Sequence, residues 1–446
     1  MDRLQALVSH DRRHIWHPFT QDYDTAPLPV IIRSASGAVL YGEDGQEYID
    51  MISSWWVTLH GHTHPAIVRA IGEQAAKLEQ VIFAGFTHEG AIELAHRLAS
   101  ILPEDLNRVF FSDNGSTAVE VALKIAHQYW RNVGAPERRR LLACEGGYHG
   151  DTVGAMSVGV QSGFFGHFTD MMFEIVTLPF PFTWNGDSSV KEREFTCLTA
   201  LDTWLERFGH ETAALIIEPL IQGAGGMRMC RPQFLHGIAA RCRAAGVLLI
   251  FDEVMTGFGR TGRPFATLTA QVTPDIICLA KGLTGGFLPM SVTVCRDSIY
   301  QAFLGESFDR ALAHGHSFTA NPLACAAALA SLHLLMSSQT EAALQTIEHH
   351  HRARLQRLAK HPRVKQPRVT GTVAAFNVAG QDSGYGAKVG QQVRNFCMAR
   401  GLLLRPLGNV VYLLPPYCIT PAQLNKAYDL IEESLSDMPT FSPINL

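Results

Sequence analysis

Between residues 65 and 300 the chain repeats one pattern: helical stretches alternate with strand-sized aliphatic runs that lack polar alternation. The runs fall at 109–111, 141–143, 214–217, 247–251, 276–279 and 290–294. A strand with one face in water alternates apolar and polar side chains, whereas a strand covered on both faces does not. Alternation with helices therefore predicts an α/β fold with a mainly parallel central sheet. Residues 31–50 alternate and turn at Gly37, Gly42 and Gly45, which reads as a β-meander. After Asn321 comes an alanine-rich helix, ACAAALASLHLL, and then a smaller α/β region with a strand-like LLLRPLGNVVYLLPP. Both end segments flank the central one. The expected organisation is a large domain over 62–324 and a discontinuous small domain from 1–61 and 325–446.

Charge narrows the function classes. There are 37 basic and 41 acidic side chains, so nothing marks a nucleic-acid or anionic-membrane surface. Charged residues make up only 17%, which suggests that much of the surface is buried against another subunit. The nine cysteines include no C-x-x-C pair, so they read as reduced core residues. No apolar run is long enough to span a bilayer. The start, MDRLQALVSHDRRHIWHP, lacks the apolar block of a signal peptide. The expectation is a cytoplasmic protein.

Two charged residues stand at the ends of apolar strands. Asp252 follows GVLLIF, and Lys281 follows DIICLA. Sites in parallel α/β sheets lie beyond the carboxyl ends of the strands. A lysine at the edge of an apolar core is placed to lose its charge and form a Schiff base. An aspartate on a neighbouring strand can hold a protonated pyridine nitrogen. That pair is what pyridoxal-phosphate chemistry needs, but the same two residues could equally form a salt bridge. A phosphate cradle is available in SDNGSTAVEVALKIAHQYW. Gly115 permits a tight turn, Thr117 and Glu120 spell a capping box, and the free N–H groups at Gly115–Ser116 would bind an anion. A merely well-capped helix has the same sequence signature. Tyr148, on the glycine-rich GGYHGDT loop, could cover a cofactor ring or simply pack in the core.

Other motifs read as structural. HGHTHP sets His60, His62 and His64 on one extended face without a carboxylate or cysteine to complete a metal shell. His349–His351 reads as a solvated helix face. Residues 257–262 match G-x-G-x-x-G by letter. Asp252–Thr256 separates them from the strand, and Pro264 follows, so a structural loop is expected instead of a dinucleotide fingerprint.

The blocks IIEPLIQGAGGM, LIFDEVMTGFGRTG and DIICLAKGLTGG, in that order, resemble the class III pyridoxal-phosphate aminotransferases of fold type I. RHIWHPFT, MISSWW, GGYHGDTVGAMSVG, HGHSFTANPLACAAA and RPLGNVVYLLPPY are similar to the branch of that family that aminates 8-amino-7-oxononanoate in biotin biosynthesis. The resemblance implies a homodimer with the site at the subunit interface, and pyridoxal 5'-phosphate as cofactor. It implies S-adenosylmethionine as amino donor, with lysine, or another ω-aminotransferase reaction, as the alternative. Lys281 would carry the cofactor and Asp252 would hold its ring nitrogen. Gly115 and Ser116 would hold the phosphate, helped by His316 and Ser317 of the neighbouring subunit. Tyr148 would stack near the ring, Trp55 would line the substrate pocket, Arg405 would bind the oxononanoate carboxylate, and Gly315 would touch substrate across the interface. Phe19 stands where HPYT usually has tyrosine, which bears on the donor. His316-Ser317 replaces the usual Pro-Thr and keeps a hydroxyl.

Overall fold

The structure is a computed structural model describing residues 3–21, 28–103, 105–159, 165–380 and 387–438. Near the N-terminus, β1 (Ile32–Ser36), β2 (Val39–Gly42) and β3 (Glu47–Asp50) form the expected antiparallel meander. The central region contributes β4 (Leu106–Ser112), β5 (Arg140–Cys144), β6 (Val176–Leu178) and β7 (Thr212–Ile217). A small hairpin follows, β8 (Ile221–Gln222) with β9 (Arg228–Met229), and then β10 (Leu248–Asp252), β11 (Ile276–Leu279) and β12 (Ser291–Arg296). The C-terminal part adds β13 (Val364–Thr370), β14 (Val373–Val378), β15 (Leu402–Leu403) and β16 (Val410–Leu413).

Seven strands form the central sheet in the order β4-β12-β11-β10-β7-β5-β6. Every pairing is parallel except the two made by β12, which runs against both β11 and β4. All six aliphatic runs lie in this sheet. The sequence reading missed β6, whose three residues at the edge are too short to show as a run.

The missing polar alternation has a direct cause. Ala214, Ile216, Ile250, Ile276 and Cys278 point to one face, against Val119, Ala122 and Ile125 of the helix Gly115–Asn132. Their neighbours Leu215, Ile217, Leu249, Phe251, Ile277 and Leu279 point to the other face and share a core with Phe234, Leu235 and Ile238. Successive side chains alternate between two buried faces, so both sets must be apolar.

The two ends of the chain meet. β15 pairs in parallel with β3, Leu402 opposite Ile49. The helix Pro322–Leu335 starts at Asn321, whose side chain accepts from Ala324 N–H, and Pro322 follows at the first helical position. Among the described residues, no single helix is long and apolar enough to cross a membrane.

Two local expectations are corrected. The helix Gly115–Asn132 is capped by Asn114, not Thr117. The Asn114 side chain accepts from Thr117 N–H, and the Thr117 hydroxyl accepts from Asn114 N–H. Several residues of SDNGST can cap a helix, and the sequence alone did not choose among them. The His349–His351 face is not wholly solvated: His351 is buried with its Nδ1 2.8 Å from the Tyr428 hydroxyl.

Candidate active site

The carboxyl ends of β10 and β11 lie side by side, with Asp252 opposite Cys278 in register. Asp252 is the last residue of its strand, and Lys281 stands two residues past the end of β11. Both line one cavity of about 660 Å³, together with Asn114, Gly115, Ser116, Tyr148 and His149. The adjacent segment 257–262 turns beside the core with no helix opening at its glycines, so it is the structural loop expected.

Lys281 adopts φ +42°, a left-handed conformation that costs a non-glycine residue free energy. Its Nζ is 5.0 Å from the centre of the Trp56 ring. Desolvation pulls its ammonium below the usual lysine range, against the opposing charges of Asp252, Glu218 and Asp151. An amine that gives up its proton more easily is a better nucleophile and proton carrier.

Asp252 does not stand alone. Its Oδ2 is 2.7 Å from His149 Nδ1, and its Oδ1 accepts from Val254 N–H at 3.0 Å. Burial by itself would lower the His149 pKa, but the hydrogen bond to Asp252 and its charge raise it above the ordinary value. The other ring nitrogen, Nε2, is buried with no partner among the described residues. His149 escaped the sequence reading because Asp252 lies 103 residues away.

The anion cradle is preformed. Gly115 and Ser116 open an 18-residue helix whose dipole puts partial positive charge at this end. A Cβ on Gly115 would come 2.6 Å from Val254 Cγ1, so only glycine lets the turn sit this close. The Ser116 hydroxyl is 2.7 Å from that of Thr152, and it accepts from Thr152 N–H at 2.9 Å. Glu120 accepts from the Thr152 hydroxyl and from Gly154 and Ala155 N–H, at 2.6, 2.7 and 3.2 Å. Its carboxylate ties the Tyr148 loop to the cradle helix, a different task from the capping expected of it. The cradle's open N–H groups, the carboxylate of Asp252 and the amine of Lys281 fit a phosphorylated pyridine aldehyde at its three ends.

Glu218 is a third charged residue at the end of an apolar strand, just past β7. It accepts from Tyr148 N–H at 3.0 Å and Gly223 N–H at 2.8 Å. Burial pushes its pKa up to about 7, with the charge of His149 opposing. IIEP carried the same signal as LIFD, an acid ending an aliphatic run, and it went unread. Tyr148 donates to Asp151 Oδ1 at 3.0 Å and stacks on Phe165 with ring centres 6.0 Å apart.

A second cavity of about 310 Å³ adjoins the first and shares Lys281, Tyr148, Asp151 and Trp56 with it. Phe19, Trp55 and Arg405 line its outer part. Arg405 Cζ sits 4.4 Å from the centre of the Trp55 ring, and Phe19 meets Trp55 edge-on at 5.9 Å. The tryptophan pair is aimed by a strained turn with positive φ at Ser53, Ser54 and Trp56. Asp50 holds that turn, accepting from Ile52 N–H at 3.1 Å and Ser54 N–H at 2.7 Å. Asp50 also engages His62 at 2.9 Å, His60 lies 3.2 Å from the Ser331 hydroxyl, and His64 caps a helix. The three histidines are thus used separately, and no metal-holding cluster exists among the described residues.

Three expected residues do not join the others. Gly315, His316 and Ser317 line neither cavity of their own chain. Ser317 carbonyl accepts from Gln80 Nε2 at 2.8 Å instead. Phe318 follows Ser317 directly and is 64% exposed, and Ile82, two residues past Gln80, is 62% exposed, apolar surface that water disfavours.

Residues 20–435 match the family described as aminotransferase class-III. An adenosylmethionine-8-amino-7-oxononanoate aminotransferase of Synechococcus elongatus is 56% identical over 425 residues, covering 95% of this chain and 99% of that one. Its namesake in Geobacter sulfurreducens is 39% identical, covering 97% of each chain. The crystal structure of the Methanocaldococcus jannaschii protein of that name superposes with a TM-score of 0.90 at 34% identity, covering 97% of this chain and 99% of that one. A PLP-bound amine transaminase from an uncultivated Pseudomonas species gives 0.89 at 30% identity, covering 95% and 98%.

Proposed function

The chain belongs to the class III aminotransferases of fold type I, and we propose from that premise that it aminates 8-amino-7-oxononanoate to 7,8-diaminononanoate in biotin biosynthesis, with S-adenosylmethionine as donor. The observation that carries this reading is the joined pair of cavities, with a reactive lysine at one end and an arginine stacked on tryptophan at the other.

Pyridoxal 5'-phosphate is the cofactor, and when bound it supplies an electron sink for the carbon that exchanges its amino group. Gly115 and Ser116 hold the phosphate through backbone N–H groups. Asp252 holds the ring nitrogen, and His149 fixes the carboxylate from behind. Lys281 would hold the cofactor covalently and would carry the proton at the reacting carbon, as base and then as acid. Tyr148 bounds the ring side of the cavity, positioned by Asp151 and by the carboxylate of Glu218 on its backbone.

Arg405 receives the carboxylate at the far end of the acceptor. A charge-assisted contact of that kind contributes about 1.5–3 kcal/mol, or roughly ten- to hundredfold. Arg405→Ala should lower kcat/KM for the oxononanoate by that factor while sparing the donor half-reaction, which lacks the long-chain carboxylate. Single-turnover absorbance of the cofactor with each substrate separates the two. Equal losses in both would make Arg405 structural and sink this assignment.

The donor reading rests on aromatic faces. Phe19, Trp55 and Tyr148 surround the outer cavity, and a sulfonium cation gains roughly 0.5–2 kcal/mol from such faces. Phe19 lacks the hydroxyl of a tyrosine, a net deficit of about 0.5–1.5 kcal/mol. Phe19→Tyr should therefore speed the S-adenosylmethionine half-reaction by roughly two- to tenfold. Cofactor conversion by lysine but not by S-adenosylmethionine would favour the second reading, a lysine-dependent enzyme.

A homodimer completes the site in this reading. The exposed Phe318 follows Ser317 and Ile82 lies two residues past Gln80, the partner of Ser317, and a second copy covering them would bring Gly315, His316 and Ser317 toward the cradle. The cytoplasm is the compartment that fits a biosynthetic enzyme of this class.

A further inference from the structure

Arg405 has no anionic partner: it stacks on Trp55, and no acid or carbonyl among the described residues accepts from it. A second guanidinium, that of Arg394, feels its charge. The helix Lys388–Met398 packs onto the turn that follows Arg405, so closely that a Cβ on Gly390 would overlap the Gly408 carbonyl oxygen and come 2.9 Å from Pro406 Cβ. Arg394 lies one helical turn after Gly390 and so shares that face. It is half-buried, and it makes no hydrogen bond or ion pair among the described residues. Burial lowers its pKa, and the charge of Arg405 lowers it further, which places the two cations within electrostatic reach. Two like charges drawn partly out of water without a counter-ion cost free energy, and that cost is relieved when a ligand brings the anion.

We propose that Arg394 is a second cation of the acceptor site, backing Arg405 so that the pair selects a substrate ending in a carboxylate. The inference rests on the reading that Arg405 receives that carboxylate. Arg394 does not line the cavity, so it is a positioning residue and acts through Arg405. Its charge keeps the Arg405 guanidinium turned outward and deepens the positive potential at the cavity end. It also disfavours a positively charged group at that end, so a cationic donor is directed to the aromatic part of the pocket.

The test uses the cofactor-loaded enzyme with Arg394→Met, Arg394→Lys and Arg405→Ala. Calorimetry measures affinity for nonanoate, a straight-chain carboxylate without a reacting ketone. Steady-state kinetics separate KM from kcat for the oxononanoate, and single-turnover absorbance reports the donor half-reaction. Arg394→Met should weaken nonanoate binding and raise the oxononanoate KM by about five- to tenfold, with kcat and the donor half-reaction unchanged. Arg394→Lys should recover most of the loss, because the long-range contribution needs only a charge. Thermal unfolding without ligand should stay level or rise for Arg394→Met, since a repulsion is removed. Wild-type nonanoate affinity in Arg394→Met, or a lowered melting temperature with both half-reactions impaired, would overturn the proposal. If Arg405→Ala weakens nonanoate binding and Arg394→Met does not, only Arg394 loses its role. If Arg405→Ala leaves that binding intact, the reading of Arg405 falls and Arg394 falls with it.

Discussion

Replacing Lys281 by alanine should reduce turnover by about four orders of magnitude or more, because nucleophile and proton carrier are removed together. The fold should survive. Alanine accepts the same φ +42° at a cost similar to lysine, and a desolvated amine disappears from the cavity wall. Pyridoxal phosphate should still bind, held by the cradle at Gly115 and Ser116 and by Asp252, but borohydride should no longer fix it to the chain. The spectrum of the bound cofactor would report the free aldehyde. Covalent fixation in the variant, or turnover within tenfold of the parent, would refute the assignment of Lys281.

The second large effect is expected for Asp252→Asn. The amide can keep the 2.7 Å contact to His149, so the site should stay assembled and the cofactor should still attach to Lys281. What is lost is the negative charge that would keep the ring nitrogen protonated. Removing one preorganised electrostatic partner of this kind costs roughly a hundred- to a thousandfold in kcat. His149 should also become easier to deprotonate, since the charge that raises its pKa is gone. The readout is kcat with cofactor occupancy measured in parallel. Near-normal kcat at full occupancy would remove Asp252 from the chemistry, whereas lost occupancy alone would make it a binding residue.

The chemistry was legible where a charge interrupts an apolar strand. Asp252 and Lys281 stand out because aliphatic runs specify a buried sheet and nothing in the core calls for an ion. Glu218 has the same signature and was passed over. The sheet itself was legible for the same reason, and β6 was not, being too short to carry a pattern. Local sequence could not choose the cap: Asn114 prevails over Thr117, and Glu120 is left to hold the loop at Thr152. His149 and His351 depend on partners 103 and 77 residues away, contacts that no window of sequence contains. Phe19, Trp55 and Arg405 came only from the resemblance. Their shared cavity joins segments from opposite ends of the chain, and periodicity does not reach that far.

The strained turn beneath the tryptophan pair finds its partners near the other end of the chain. The Ser53 hydroxyl donates to Leu414 carbonyl at 2.7 Å, and Trp56 Nε1 donates to the Tyr412 hydroxyl at 2.9 Å. Leu414 N–H in turn donates to Met51 carbonyl at 2.8 Å. These bonds tie the segment that carries Trp55 to the segment that follows Arg405, whereas Lys281 stands just past β11 of the central sheet. If Arg405 receives the acceptor carboxylate, the span from this wall to Lys281 would match the distance from reacting carbon to carboxylate. Arg260, buried at the seam, joins the same two segments by donating to Pro415 carbonyl at 2.8 Å and to Thr58 carbonyl at 3.4 Å. The spacing across the pocket would then depend on buried contacts at that seam, remote from the side chains that line it.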